Sequence, residues 1–503
     1  MISLKDKTAF ASAAAFAAVL CFFRARYASP YPASWDAVDF ALALDRFDLL
    51  AMQPHFPGYP FFVLAAMPLR LLAEDPVLAL SAVSAVAYAT AVVPMYGLVR
   101  STLTAWPAAA VAALLQGASY MWIVAAQPMS EGMAVALLWW YWWSVHAALG
   151  SSRWIIRLLP AAVFGLLMGV RLSYAVFGAA LILLLWRELS AHGPNGERPL
   201  RLRIRRGAVF ALGVVCFQLV WVLALAVTEG SIGGFVQLAL AFAEGHFTDW
   251  GGGIAASAAL PIGERFVRLT AYNFFWVGLC GGSFWNAAAF VAFVLTALAV
   301  WGKAGSPKEG RPKFRWLAVL CLLYFLWALF AQNIDKPRHI APLIGPVLWL
   351  AAWAWLKPAP RHHGLIAIAG VALFASQLAV GANLLHTLHT EIPAPVALHR
   401  YLAEEKREDS SNFIVYTWEE TRVMQYMQAA YPHRRVFTYA LFEEELRMRP
   451  ERKVYVTDAV AEGFQAQGAD LQARLVPVAV FRSNPIIEPV YNEITLFEWK
   501  RHQ

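Results

Sequence analysis

Two carboxylates three residues apart, in Trp35-Asp36-Ala37-Val38-Asp39-Phe40, precede His55-Phe56-Pro57-Gly58-Tyr59-Pro60 in a region that is otherwise largely apolar. At helical spacing Asp36 and Asp39 fall on one face, while Asp45 and Asp48 turn well away. A carboxylate so placed can take a proton from a hydroxyl within about 3 Å. A second acid one turn on can hold a metal or tune its neighbour's ionisation. Further on come Glu131 after Gln127-Pro128-Met129-Ser130, Arg171 between two apolar stretches, and Lys336, Arg338 and His339. The cations among these suit a phosphate whose charge develops as it leaves, arginine in particular. His246 and Asp249 stand at i, i+3 among aromatics and glycines in Glu244 to Gly253, a mixture suited to a mobile sugar-binding lid or to a metal.

Each group also has a plainer reading. Asp36 serves as a helix N-cap or a solvated charge, and Glu131 as a first-turn acid that complements the helix dipole. Arg171 snorkels to headgroups, and Lys336, Arg338 and His339 bind anionic lipid without selectivity. His55 rigidifies a proline-rich turn.

The elements that position these residues are membrane helices. The 503 residues are 59% apolar and only 15% charged, with a mean hydropathy of +0.51, far from the usual globular composition. A span needs about 20 mostly apolar residues. Eleven stretches qualify, near 8–24, 79–99, 104–124, 130–148, 155–170, 172–187, 207–227, 283–301, 316–332, 340–356 and 364–383. The predicted class is a polytopic α-helical membrane protein with the N-terminus inside. The first span is read as an uncleaved anchor, since Arg24-Ala25-Arg26-Tyr27 follows it rather than a small-residue cleavage site.

The net charge of +8 collects in the loops 149–157, 187–206, 302–315 and 357–363, as positive-inside placement requires, and gives no reason to expect nucleic acid. The outer side then receives the loop 25–78, the Glu131 turn, Arg171, the long loop 228–282 and the Lys336 segment. Convergence of costly charges on one membrane face marks a site. Trp35, Val38, Leu42 and Leu49 form an apolar stripe, so the Asp36 helix is expected to lie along the membrane surface. Gly58 to Ala73, interrupted by Pro60, Pro68 and Arg70, is expected to be a second interfacial helix. The Trp139-Trp140-Tyr141-Trp142-Trp143 run reads as an aromatic belt at the inner interface. Cys21, Cys216, Cys280 and Cys321 stand singly in apolar segments as inert core residues.

Residues 1–383 thus form the membrane domain and 384–503 a small α/β domain on the outer face. In the latter, strand-like runs at 413–417, 435–439, 453–457, 475–481 and 494–499 alternate with helical patterns at 419–428 and 441–448. No glycine-rich phosphate loop follows any of these strands.

The Asp-x-x-Asp-Phe run, His55-Phe56-Pro57-Gly58-Tyr59-Pro60, Ser130-Glu131, Gly169-Val170-Arg171 and Pro337-Arg338-His339-Ile340-Ala341-Pro342 together resemble the GT-C superfamily of integral-membrane glycosyltransferases. That superfamily includes protein O-mannosyltransferases and aminoarabinose transferases. The match is strongest to a bacterial branch whose first outer loop carries His-Pro-Pro-Gly-Tyr-Pro; here Phe56 replaces the first proline.

The resemblance implies transfer of a hexosyl or mannosyl-type sugar from a polyprenyl-phosphate donor to a protein or lipid/glycan acceptor. Transfer would occur with inversion on the extracytoplasmic face of the plasma (bacterial inner) membrane. Asp36 would be the base, with Asp39 beside it in the catalytic pair; His55, Glu131, Arg171, His246, Asp249, Lys336, Arg338 and His339 would bind substrate. A divalent cation, Mg or Mn, is left open. The competing readings are a transporter or flippase of lipid-linked sugars, for which internal repeats are lacking, and a non-catalytic assembly subunit.

Overall fold

All eleven apolar stretches fall on helices in the computed structural model, which describes residues 3–190, 192–193, 196–256, 259–304, 314–356, 363–404, 412–471 and 473–500. Of the basic loops, 305–313 and 357–362 lie outside the described residues. In order, the first helices are α1 (Leu4–Arg26), α2 (Trp35–Asp45), α3 (Pro60–Arg70), α4 (Pro76–Thr90) and α5 (Val92–Arg100). Next come α6 (Ala105–Gln116), α7 (Ser119–Val124), α8 (Glu131–Gly150) and α9 (Trp154–Val170). A 3-10 turn at Leu172–Gly178 leads to α10 (Ala179–Leu189) and α11 (Leu200–Thr228).

The expected outer loop 228–282 is largely helical instead. It holds α12 (Ile232–Gly245), a π turn, α13 (Ile262–Val267) and a π-helical stretch at Arg268–Leu279, before α14 (Phe284–Ala304). Glycines and polar residues interrupt its apolar side chains, so no run of about 20 marks these helices in the sequence. The membrane part ends with α15 (Arg315–Ala331), α16 (Ala341–Leu356) and α17 (His363–Thr390), which continues past the expected end of its span at 383.

The chain is an integral membrane protein. Five described helical stretches are long and apolar enough to cross a bilayer, or six if Ile262–Leu279 and Phe284–Thr296, bent by 101°, make one broken span. Others fall short of about 20 residues: α9 and α15 have 17 each, and the 104–124 stretch breaks at Gly117 between α6 and α7.

Packing revises two local expectations and adds to a third. Helix α2 buries Ala37, Val38, Asp39, Phe40, Ala41 and Ala43 against other parts of the protein. Its Phe40 and Ala41 join the helical core, while Val38 packs on Val396 and Val423 of the C-terminal part. Part of the aromatic run is core rather than belt: Trp139 and Trp142 are 1% and 0% exposed, with Trp139 against Trp349 and Trp142 against Phe177, while Trp140 and Trp143 are half-buried. Among the cysteines, all free, Cys216 is exposed rather than buried.

After α17 come α18 (Ala394–Glu404) and a five-stranded mixed sheet. Its strands are β1 (Phe413–Thr417), β2 (His433–Arg435), β3 (Lys453–Thr457), β4 (Leu475–Arg482) and β5 (Glu493–Trp499), in the order β2-β1-β3-β5-β4. β1 pairs parallel with β2 and β3, and β5 antiparallel with β3 and β4. The helices are α19 (Glu420–Tyr426), α20 (Tyr439–Met448) and α21 (Asp458–Ala466). Strand β2 lies before the run expected at 435–439, because Thr438 instead caps α20 by accepting from the Leu441 N–H. Alternation sends Ile414, Tyr416, Val454 and Val456 toward Phe442 and Phe464, and Phe413, Val415 and Tyr455 toward Leu398 and Leu402 on the other face.

Candidate active site

Ser34 caps α2, its hydroxyl accepting from the Ala37 N–H, and this starts the helix so that Asp36 sits in the first turn. Glu131 opens α8 after a turn fastened by Ser84, whose hydroxyl donates to the Met129 carbonyl at 2.7 Å. Arg171 ends α9 with an extended backbone, φ −161°. Lys336 and Arg338 stand where a 3-10 turn at Pro337–Ile340 leads into α16. That segment is held by Arg265, whose guanidinium donates to the carbonyls of Gly252 (2.7 Å), Gln332 (2.9 Å) and Leu329 (3.0 Å). Asn273 adds a bond to the Ile334 carbonyl at 2.7 Å.

These four separate elements meet in one charged array. Arg338 donates to Asp36 through Nη2, and its Nε lies 2.7 Å from Glu131 Oε1. Arg171 Nη2 lies 3.1 Å from the same oxygen, and its Nη1 donates to Ser130 Oγ at 3.0 Å. Lys336 Nζ is 4.0 Å from Asp36. Neither carboxylate oxygen of Glu131 has an aligned hydrogen bond, although the residue is 2% exposed. Glu131 is thus held by the charges of Arg171 and Arg338 rather than by directed bonds.

Burial opposes ionisation of Asp36, but Lys336, Arg338, His55 and Arg171 outweigh it and hold the carboxyl well below the usual range. His339 lies beside the same cations, and burial together with Arg171, Arg338 and Lys336 pushes its imidazole well below the ordinary value, so it stays neutral. Its Nδ1 has no hydrogen-bond partner among the described residues.

Asp39 faces a second set of partners. It is 0% exposed, with Oδ2 3.0 Å from His55 Nδ1 and Oδ1 accepting from Arg422 Nε at 2.7 Å. The expected carboxylate pair is therefore divided, since residues three apart on a helix differ by about 60° and here that separates two environments. His55 continues the chain: its Nε2 is 3.1 Å from the Tyr59 hydroxyl. Tyr59 has φ +45°, a left-handed conformation that costs a non-glycine residue about 1–3 kcal/mol and tends to persist at functional sites. It lies close enough to Arg171, Asp36, Glu131 and Arg338 to feel their charges.

His246 and Asp249 are not drawn into either set. His246 Nε2 lies 3.2 Å from the Ala331 carbonyl, and Asp249 is exposed on the π turn. Three residues escaped the sequence reading. Tyr59 lies within the quoted proline-rich motif and could have been found there. Arg422, on α19, and Glu488, between β4 and β5, carry no local signal. Glu488 lines a small cleft with Ser34, Ala37, Tyr120, Gln127 and Arg338; burial pushes its carboxyl up to about 7, against the pull of Arg338.

Among the described residues no three His, Cys, Asp or Glu side chains converge to hold a metal ion. Asp36, Asp39 and Glu131 are each already faced by an arginine, so these acids do not fit a resident dication.

In sequence, no family model matches the chain and no curated protein matches it. Among solved structures it is similar to ArnT from Cupriavidus metallidurans bound to undecaprenyl phosphate, with a TM-score of 0.54 at 12% identity, over 96% of each chain. The apo state of the same ArnT gives 0.54 at 11% identity, over 96% of this chain and 97% of that one. An Archaeoglobus fulgidus oligosaccharyltransferase tethered to an acceptor peptide gives 0.48 at 10% identity, over 88% of this chain and 68% of that one. At such identities the likeness is one of fold, and the chain has the fold of ArnT.

Proposed function

We propose that this protein is a membrane glycosyltransferase that moves a sugar from a polyprenyl-phosphate donor to a hydroxyl of a protein or lipid/glycan acceptor, with inversion. The observation that carries the reading is the meeting of Asp36 with Lys336, Arg338, Glu131 and Arg171 in a fold that, in ArnT, binds undecaprenyl phosphate. In the proposed topology eleven spans run from an inside N-terminus, and residues 384–503 form a domain on the outer face of a bacterial inner membrane. The acceptor would be met on that face.

At rest Lys336 and Arg338 keep Asp36 ionised but weakly basic. A donor phosphate competes for the same two cations, and as they turn toward it Asp36 recovers basicity. Asp36 then takes the acceptor hydroxyl proton while the acceptor oxygen bonds to the anomeric carbon from the face opposite the phosphate. The bond from that carbon to the phosphate oxygen breaks, and the added negative charge settles on Arg338, Lys336 and Arg171. Asp39 acts as a positioning residue. His339 offers a neutral ring nitrogen to the donor.

The test is release of undecaprenyl phosphate from undecaprenyl-phosphate-linked sugars by the full chain in lipid nanodiscs. Release with one of these donors, lost in Asp36→Asn, is expected. A wild-type chain that neither binds undecaprenyl phosphate nor releases it from any such donor would overturn the proposal.

A further inference from the structure

Helix α19 of the C-terminal domain sends Arg422 into the membrane part. Its Nε donates to Asp39 Oδ1 at 2.7 Å, and its Nη2 donates to the carbonyls of Met52 at 2.8 Å and Ala51 at 3.3 Å. The guanidinium also lies over the Trp35 ring, 5.5 Å from its centre. One side chain thus grips the start of α2 and the loop leading to His55, the two segments that carry Asp36 and Tyr59. Asp39 can be fully buried as an anion only because Arg422 and His55 face it.

We infer that Arg422 is a positioning residue for the phosphate-binding array, so that the C-terminal domain is a working part of the site and not an appendage to it. The inference rests on the function proposed above, because it takes the Arg338 array to be where the lipid phosphate binds. Arg422 itself stays outside that array. Its effect travels along α2, from Asp39 to Asp36 one turn earlier, and along the bonded chain Asp39–His55–Tyr59. Without the guanidinium, the Asp39 charge is left underpaired in a closed place, and α2 must shift or rotate to relieve it. Asp36, and the cations that share it with the phosphate, shift with the helix.

The experiment measures the Kd of undecaprenyl phosphate for the full-length protein in nanodiscs, with thermal unfolding recorded beside it. Arg422→Gln is expected to weaken binding by roughly tenfold to a hundredfold, the range met when a residue that orients ligand-binding groups is lost at metal sites. Asp39→Asn/Arg422→Gln, which removes both charges, is expected to recover most of the affinity. Arg422→Lys keeps the charge without the fork and should fall between, which serves if Arg422→Gln does not fold. The inference is overturned if folded Arg422→Gln and Arg422→Lys both bind as wild type does, or if the double variant binds no better than Arg422→Gln. A wild-type protein that does not bind undecaprenyl phosphate would overturn the proposed function as well, and so the two failures are distinguishable.

Discussion

Arg338 stands between Asp36 and Glu131, donating to the first and lying 2.7 Å from the second. Among the described residues it is the one side chain that links the α2 acid to the α8 acid directly. Arg338→Met should leave two carboxylates short of a partner and lower stability by roughly 3–5 kcal/mol, the usual effect of breaking a buried pair. Adding Glu131→Gln should restore much of the stability. It should not restore undecaprenyl phosphate binding, which needs the cation. Unfolding curves and lipid affinity, measured on the same preparations, separate the two effects.

Asp36→Asn makes a sharper distinction. If Asp36 is the base, turnover should fall by about 10²–10⁴-fold. The same change releases Lys336 and Arg338 from a competing carboxylate, so affinity for undecaprenyl phosphate should hold or rise. Lost turnover together with lost affinity would make Asp36 a binding group, and unchanged turnover would remove the base assignment.

What the amino-acid pattern disclosed follows from how costly each feature is to hide. Asp36, Glu131, Arg171 and Arg338 are conspicuous because a charge beside apolar spans is expensive and therefore rare. Arg422 is invisible to that logic, since it lies in a polar domain where arginines are ordinary, and its bond to Asp39 joins residues 383 positions apart. Composition also misreads enclosure. No local pattern near His246 foretells that Arg265 joins Gly252 to Leu329 and Gln332 through their carbonyls. Trp139 and Trp142 look interfacial by residue type and are buried by what packs on them.

Gly169, two residues before Arg171, tests how tightly the site depends on helix packing. A Cβ there would lie 2.4 Å from Phe61 Cδ2 and 3.2 Å from Trp221 Cβ. Gly169→Ala should cost about 1–3 kcal/mol and displace Phe61, which neighbours Pro60 and Tyr59 on the proline-rich turn. Lower melting temperature together with weaker undecaprenyl phosphate binding is the expected result. A loss of stability with unaltered binding would mean that the turn moves independently of the array.

Glu420, at the start of α19 two residues before Arg422, should make stability depend on pH. It is 2% exposed, accepts the Trp418 N–H at 2.8 Å through Oε2, and has no partner for Oε1. Burial raises its carboxyl from 4.5 to about 7; the Glu420 and Trp418 N–H groups oppose the rise, while Asp458 and Glu419 add to it. Between those two values the folded chain holds a proton that the unfolded chain has lost. Stability therefore falls as pH climbs from about 4.5 toward 7, by up to about 3 kcal/mol in all, and levels off above. Glu420→Gln keeps the shape without the titration, so denaturant unfolding of the C-terminal domain within the full chain should lose Glu420's share of the slope, while Glu488, also raised to about 7, keeps its own. The variant should then gain over wild type at pH 8 and not at pH 4.5, whereas an equal difference at both would mean that Glu420 is ionised in the folded chain throughout.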